Sequence, residues 1–279
     1  MYNIPALHFL LGEMPIEGQI HRDLFSLFYN VWSNPDSKIY AIVKYLLEKS
    51  TDSSRTWSNH VKFLSKRYQL ENPSQCLKRD PPKKSEFKEL ILTSISNYYE
   101  SELRTQAKSN SRMQYLNVSL LSLRGRPHPA LQNMKTTHDV RKSHPHIKML
   151  SGVYFTYQIR ATQSGGSAHC RCCNDNSKPD EDIQQIIIYF SAYEEIRQRL
   201  LNEIKNLCQK TNHQILLENL DSKALCQFLL DPSSMNLKYR ISMNDPFLSD
   251  FFKLSRDLCY SINKKRLEIL KSLLDRANP

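Results

Sequence analysis

The sequence predicts an all-α protein, a multi-helix array with a short cysteine-knuckle turn and little β structure. Three observations carry this. Apolar residues recur every three or four positions over long stretches, the spacing of one buried helix face. Glycine is scarce, six in 279 residues, which argues against β-sandwiches and phosphate-cradling loops that use it at positive φ. Capping and helix-breaking residues punctuate the periodic stretches.

In order, residues 1–19 read as extended or irregular, with Pro5, Gly12, Pro15 and Gly18 as breakers. Ile20, Leu24, Leu27, Phe28, Val31 and Trp32 mark a first helix. Asn34-Pro35-Asp36 ends it, and Asp36 is placed to cap a second helix over Ile39 to Lys49. After an Asp52-Ser53-Ser54 turn, Trp57, Val61, Leu64 and Tyr68 mark a third. Pro73 and Pro81-Pro82 bracket a link into a long helix, Ser85 to about Lys108. SLLSLRGRPHP, with Gly125, Pro127 and Pro129, cannot be a long helix. Residues 136–150 read as one or two short helices around Pro145, with His138, His144 and His146 as surface residues. GVYFTYQIRA (152–161) reads equally as a strand or a buried helix. Beyond the cysteines, Asp180 is placed to cap a helix from about Glu181 to Leu207. A short element over 212–220, a helix over Ser222 to Leu230 and a last helix from Asp245-Pro246 complete the chain. The expected parts are a helical 1–79, a basic 80–167, and a 168–279 part with the knuckle and C-terminal helices.

The composition excludes several classes. Neither G-x-x-x-x-G-K-[ST] nor G-x-G-x-x-G occurs. No 18-residue apolar span exists, so no membrane partner is expected. The N-terminal segment has no basic n-region and carries Glu13, so no secretory signal is expected. Seven scattered cysteines suggest free thiols in a reducing, intracellular setting, nucleus or cytoplasm. Net charge is +11, and its distribution is uneven. Arg55 to Lys148 carries 18 Lys and Arg against seven Asp and Glu, whereas the remainder balances at 21 of each. A concentrated positive field favours a polyanion, above all nucleic acid, RNA or DNA; a solvated basic face is the alternative. The candidate contacts are Lys62, Lys66, Arg67, Lys83, Lys84, Arg104, Lys108, Arg112, Arg124, Arg126, Arg141, Lys142 and Arg171. His128 beside Arg124-Gly125-Arg126 completes a cationic loop suited to phosphate. Trp57, Phe63, Tyr68, Phe87, Tyr98, Tyr99 and Tyr115 interleave with these cations; base stacking is one use, core packing at helical spacing the other.

Cys170-x-x-Cys173 on a turn before an amphipathic run is how a small zinc module begins. Two further His or Cys ligands are not found at module spacing, so no cofactor is required and zinc remains a candidate at Cys170 and Cys173 alone. Cys208 and His213 lie too far along for a compact site, and Cys208, Cys226 and Cys259 fit core positions.

The order of KRYQLENPSQCL, YLNVSLLSLRGRPHPAL, SGGSAHCRCC and SAYEEIRQR resembles the region downstream of the polymerase in non-LTR (LINE-type) retrotransposon reverse transcriptases. The resemblance covers most of the chain. It implies a C-x-x-C pair at Cys170 and Cys173, with the remaining two ligand positions at Gln185 and Phe190, neither a zinc ligand. Ala192, Tyr193, Ile196 and Arg197 match the family's C-P-A-Y-x-x-I-R flank. It further implies a non-catalytic fragment of the C-terminal region that grips nucleic acid in association with a reverse transcriptase. No Asp-Asp pair is present to hold polymerase metals, and no endonuclease is visible, so no enzyme is expected. A helical interaction or structural protein, or a decayed element product without activity, is the alternative.

Overall fold

The computed structural model describes residues 3–49, 56–132, 134–172, 180–211, 219–235 and 245–277. The protein is all-α: helices dominate, and among the described residues there is no sheet. The chain forms two compact units. One comprises Gly12–Gln106 and Ser122–Arg126; the other comprises Met1–Leu11, Ala107–Leu121 and Pro127–Pro279. The stretch 80–167 contributes to both.

The smaller unit holds α2 (Ile16–Trp32), α3 (Lys38–Lys49), α4 (Trp57–Arg67), the single turn α5 (Pro73–Cys76) and most of α6 (Lys84–Lys108). Its core is aromatic. Phe28, Tyr29, Trp32 and Phe87 pack at ring separations of 5.1 to 6.3 Å. Their polar tips are satisfied by backbone: the Tyr29 hydroxyl donates to Pro82 O at 2.7 Å, and Trp32 Nε1 donates to Arg79 O at 2.9 Å. Helix α3 is capped by Ser37, whose Oγ accepts from Tyr40 N at 3.1 Å, rather than by Asp36; the serine stands one residue nearer the first turn. Helix α4 is capped by Thr56, and it ends with Gln69 at φ +56. Leu70 N bonds Ser65 O and Gln69 N bonds Lys66 O, so a glutamine fills the left-handed position that glycine usually takes. The proposed 52–54 turn lies outside the described residues.

The segment 122–126 is held by two devices. Glu100, buried on α6, accepts from Ser122 Oγ and Leu123 N, both at 2.9 Å, and pairs with Arg104 at 3.0 Å. Gly12, at φ +68, accepts at its carbonyl from Gly125 N at 2.7 Å; a Cβ there would stand 2.1 Å from Arg126 O.

The larger unit begins with α1 (Ile4–Leu11), which corrects the expectation of an irregular N-terminus. Phe9 and Leu10 are buried, and Pro5 sits in the first turn, where a missing N–H costs nothing. Three short 3₁₀ turns, Ser111–Met113, Val118–Leu120 and Pro129–Leu131, carry the chain to α7 (Thr137–Leu150). Helix α7 is one helix through Pro145, opened by a capping box between Thr136 and Asp139. Then come α8 (Tyr157–Ser164), α9 (Glu194–Lys210), α10 (Ser222–Leu230) and α11 (Pro246–Ala277). GVYFTYQIRA is therefore a loop running into α8. Helix α11 packs chiefly on α7 and α9, burying Phe247, Phe251, Phe252, Leu258, Cys259 and Ile262. Leu267, five residues further along the same helix, is exposed.

The single helix expected from Glu181 to Leu207 is broken. Residues Gln185–Tyr189 form a π turn, Phe190 takes an extended φ/ψ, and Ser191–Tyr193 is 3₁₀ before α9 starts. Arg197 explains the break. Buried on α9, it donates to Ile187 O at 2.9 Å and Phe190 O at 3.0 Å, satisfying carbonyls that a helix interruption orphans. Asp182, not Asp180, caps the turn, accepting from Gln185 N at 2.6 Å. Of the expected 212–220 element, 212–218 lie outside the described residues.

Candidate functional site

The cysteine turn is closed by a buried ion pair. Glu181 and Arg266 are 1% and 4% exposed. Glu181 Oε1 accepts from Arg266 Nη2 at 2.5 Å and from Tyr157 N at 3.1 Å. Oε2 accepts from Arg266 Nε and from Cys170 Sγ, both at 3.4 Å. The Glu181 backbone also bonds Ala168 O at 3.0 Å and receives Gln158 N at 3.3 Å. A buried charge is tolerable only with such saturation. Burial works against the Arg266 charge, yet the bonds and charge of Glu181 hold its pKa above the ordinary arginine range. Its guanidinium lies 5.7 Å from the Tyr154 ring centroid.

Cys170 Sγ, Cys172 Sγ and a Glu181 oxygen all lie within 4.8 Å of one another. These are the donor types a divalent soft ion takes, and among the described residues they fall one short of a closed tetrahedral set. Cys173, the partner expected for Cys170, lies outside the described residues; among the described residues the cysteine beside Cys170 is Cys172. Its thiol is held above the ordinary range, first by its hydrogen bond with Cys170 and then by burial. His169 is exposed, with Nδ1 3.3 Å from Asp180. The other two implied ligand positions are structural. Gln185 stands in the π turn, and Phe190 is buried against Tyr193 at 4.5 Å. Cys208, Cys226 and Cys259 are buried in the core, and burial raises the thiols of Cys208 and Cys226 to about 11 and about 12. His213 is outside the described residues.

The basic residues divide between the units. Lys66, Lys83, Lys84, Arg124 and Arg126 are exposed in the smaller unit, with Lys62 half-buried. Lys108, Arg141 and Arg171 are exposed in the larger, with Arg112 half-buried. Some are already engaged. Arg67 pairs with Glu17 at 2.8 Å and lies 4.7 Å from the Tyr98 ring centroid. Arg104 pairs with Glu100, and Lys142 with Asp257 at 2.8 Å. Arg124 donates to Asn97 Oδ1 at 3.2 Å, and Arg171 lies 5.3 Å from the Tyr157 centroid.

Two histidines depart from expectation. His128 is buried, not part of a cationic loop: its Nδ1 accepts from Ala130 N at 3.1 Å, which leaves the proton on Nε2, 3.6 Å from Asp231 Oδ1. His146 is fully buried, not on the surface, with Nε2 donating to Leu230 O at 2.7 Å. Both rings meet Phe252. Of the interleaved aromatics, Tyr68, Phe87, Tyr99 and Tyr115 are core and Trp57 and Tyr98 half-buried, whereas Phe63 is 60% exposed.

Sequence reasoning missed Glu181 and Arg266 as partners. One signal was present: Leu258, Ile262 and Arg266 stand four apart on the buried stripe of α11, where a cation demands a partner. Nothing local identified that partner. No helix among the described residues is long and apolar enough to cross a membrane. Comparison of the chain with known protein families, with curated proteins and with solved structures found no match.

Proposed function

We propose that the chain is a non-catalytic nucleic-acid-binding element, related to the post-polymerase region of LINE-type reverse transcriptases and working beside a polymerase. The observation that carries this reading is the concentration of the whole +11 charge in residues 55–148, together with the exposure of Lys66, Lys83, Lys84, Lys108, Arg124, Arg126 and Arg141. Phosphate neutralisation by such side chains releases counterions, so binding is steeply salt-dependent and weakly sequence-dependent. A gel-shift titration against single-stranded and duplex probes tests it; no binding of any probe at low salt refutes it.

On this reading the cysteine turn is a structural joint rather than a zinc knuckle. Arg266 already supplies the cation that Glu181 needs, and a divalent ion beside it would meet a like charge. Purified protein is expected to carry zinc well below one equivalent. Stoichiometric zinc lost in both Cys170→Ser and Cys172→Ser would reverse this.

A second reading, an interaction protein, is favoured by α3. Ile39, Ile42 and Tyr45 form an apolar stripe at helical spacing, each more than half exposed. Sedimentation of the chain with and without Ile42→Glu tests whether that stripe associates.

A further inference from the structure

We propose that the groove along α4 is a nucleobase-stacking subsite for single-stranded nucleic acid, with Phe63 as the platform and Lys62 and Lys66 as phosphate contacts. This rests on the nucleic-acid reading above and names the strand form and the residues. The groove lies between α4 and the turn after it, encloses about 500 Å³, and is lined by Asn59, Lys62, Phe63, Lys66, Leu70 and Asn72. That volume lies within the range of small-ligand pockets, enough for one nucleotide.

Five observations converge. Phe63 is an aromatic of the basic segment that the core does not take. Its ring is near-parallel to that of exposed His60, with 17° between planes and 6.3 Å between centroids, so the ring orientation on this helix face is already set by an aromatic neighbour. Lys62 and Lys66, one turn apart on α4, line the same groove as Phe63. Among the described residues no carboxylate lines the groove, and two on the neighbouring segments are held in ion pairs, Glu17 by Arg67 and Glu71 by Arg79. Asn59 and Asn72 add amide groups of the kind that bond base edges, and Asn72 keeps its Oδ1 on Ser74 N at 2.9 Å.

A nucleobase uses all of these features. An acidic polypeptide would use the lysines and leave the ring face idle. In a duplex the base faces are stacked on each other and cannot reach Phe63, so the subsite distinguishes strand forms.

The test uses the full chain and fluorescence anisotropy with labelled oligo-dT, oligo-U and a duplex of equal length. Phe63→Ala, exposed and with matched thermal melting, is expected to weaken single-strand binding by roughly 5- to 150-fold. Duplex affinity should stay within roughly twofold, because phosphate contacts alone carry it. Phe63→Trp should restore single-strand binding, and Lys62→Ala with Lys66→Ala should lower its salt slope by about 1 to 2. Unchanged single-strand affinity in Phe63→Ala, or an equal loss on duplex, overturns the subsite while leaving nucleic-acid binding intact. Competition by poly-glutamate that depends on Phe63 overturns it in favour of an acidic polypeptide. Absence of binding to all three probes fails the broader reading, and the subsite with it.

Discussion

Glu181 and Arg266 stand 85 positions apart in the chain and meet with almost no exposure. Removing one partner leaves the other charge buried and uncompensated, which costs about 3–5 kcal/mol. Arg266→Met is therefore expected to lower unfolding free energy by that amount in urea denaturation. Glu181→Leu combined with Arg266→Met should recover much of the loss, because a matched apolar pair has no charge to solvate. His146 makes a second prediction. Burial lowers its pKa to about 4, with nearby His128 and Arg256 adding to the effect and Asp231 opposing it. The unfolded chain titrates near 6.5, so between these values the unfolded state binds the extra proton. Stability should be full above pH 6.5 and fall by about 3 kcal/mol as pH drops to about 4, with His146→Leu flattening that limb of the curve. Little of this was legible in the sequence. TTHDVRKSHPHIKML shows three histidines and no depth; only packing on Phe252 and the Leu230 carbonyl puts one of them in the core.

At the scale of elements, periodicity located the helices that bury one apolar face, α2, α3, α4, α6 and α10, to within a few residues at each end. It failed where a distant group substitutes for the helix ladder. Ile183, Ile186, Ile187 and Phe190 keep helical spacing, yet the ladder breaks because Arg197 takes the carbonyls of Ile187 and Phe190. Hence Tyr193 and Arg197 are buried parts of a joint, whereas Ala192 between them and the break is exposed. The same limit applies to short apolar runs such as 4–11, where Pro5 reads as a breaker and serves as a first-turn residue. Gly12 carries the element-scale prediction. Its φ of +68 and the 2.1 Å approach of a built Cβ to Arg126 O leave no room for a side chain. Gly12→Ala should cost about 1–3 kcal/mol and loosen the 122–126 segment, read as faster amide exchange at Gly125.

For the whole molecule, charge is the property on which the proposed nucleic-acid binding rests. Each lysine or arginine that contacts phosphate adds about 0.9 to the slope of log affinity against log salt on duplex DNA. Lys83→Ala with Lys84→Ala, both exposed, should weaken binding across all sequences and lower that slope by about 2, without changing thermal stability. Arg104→Ala should instead lower stability, because Glu100 would keep its buried charge without its ion-pair partner. By itself the sequence determined the fold class, the helical faces and the size and location of the positive charge, because composition and periodicity are properties of the chain alone. Only the tertiary structure decided which cations are bound up in ion pairs, that Cys170 lies beside Cys172 and Glu181, and that Phe63 faces solvent while Tyr68 and Tyr99 do not. The physical reason is common to all three. Depth and partnership come from contacts between residues far apart in sequence, and a local pattern of spacing carries no record of them.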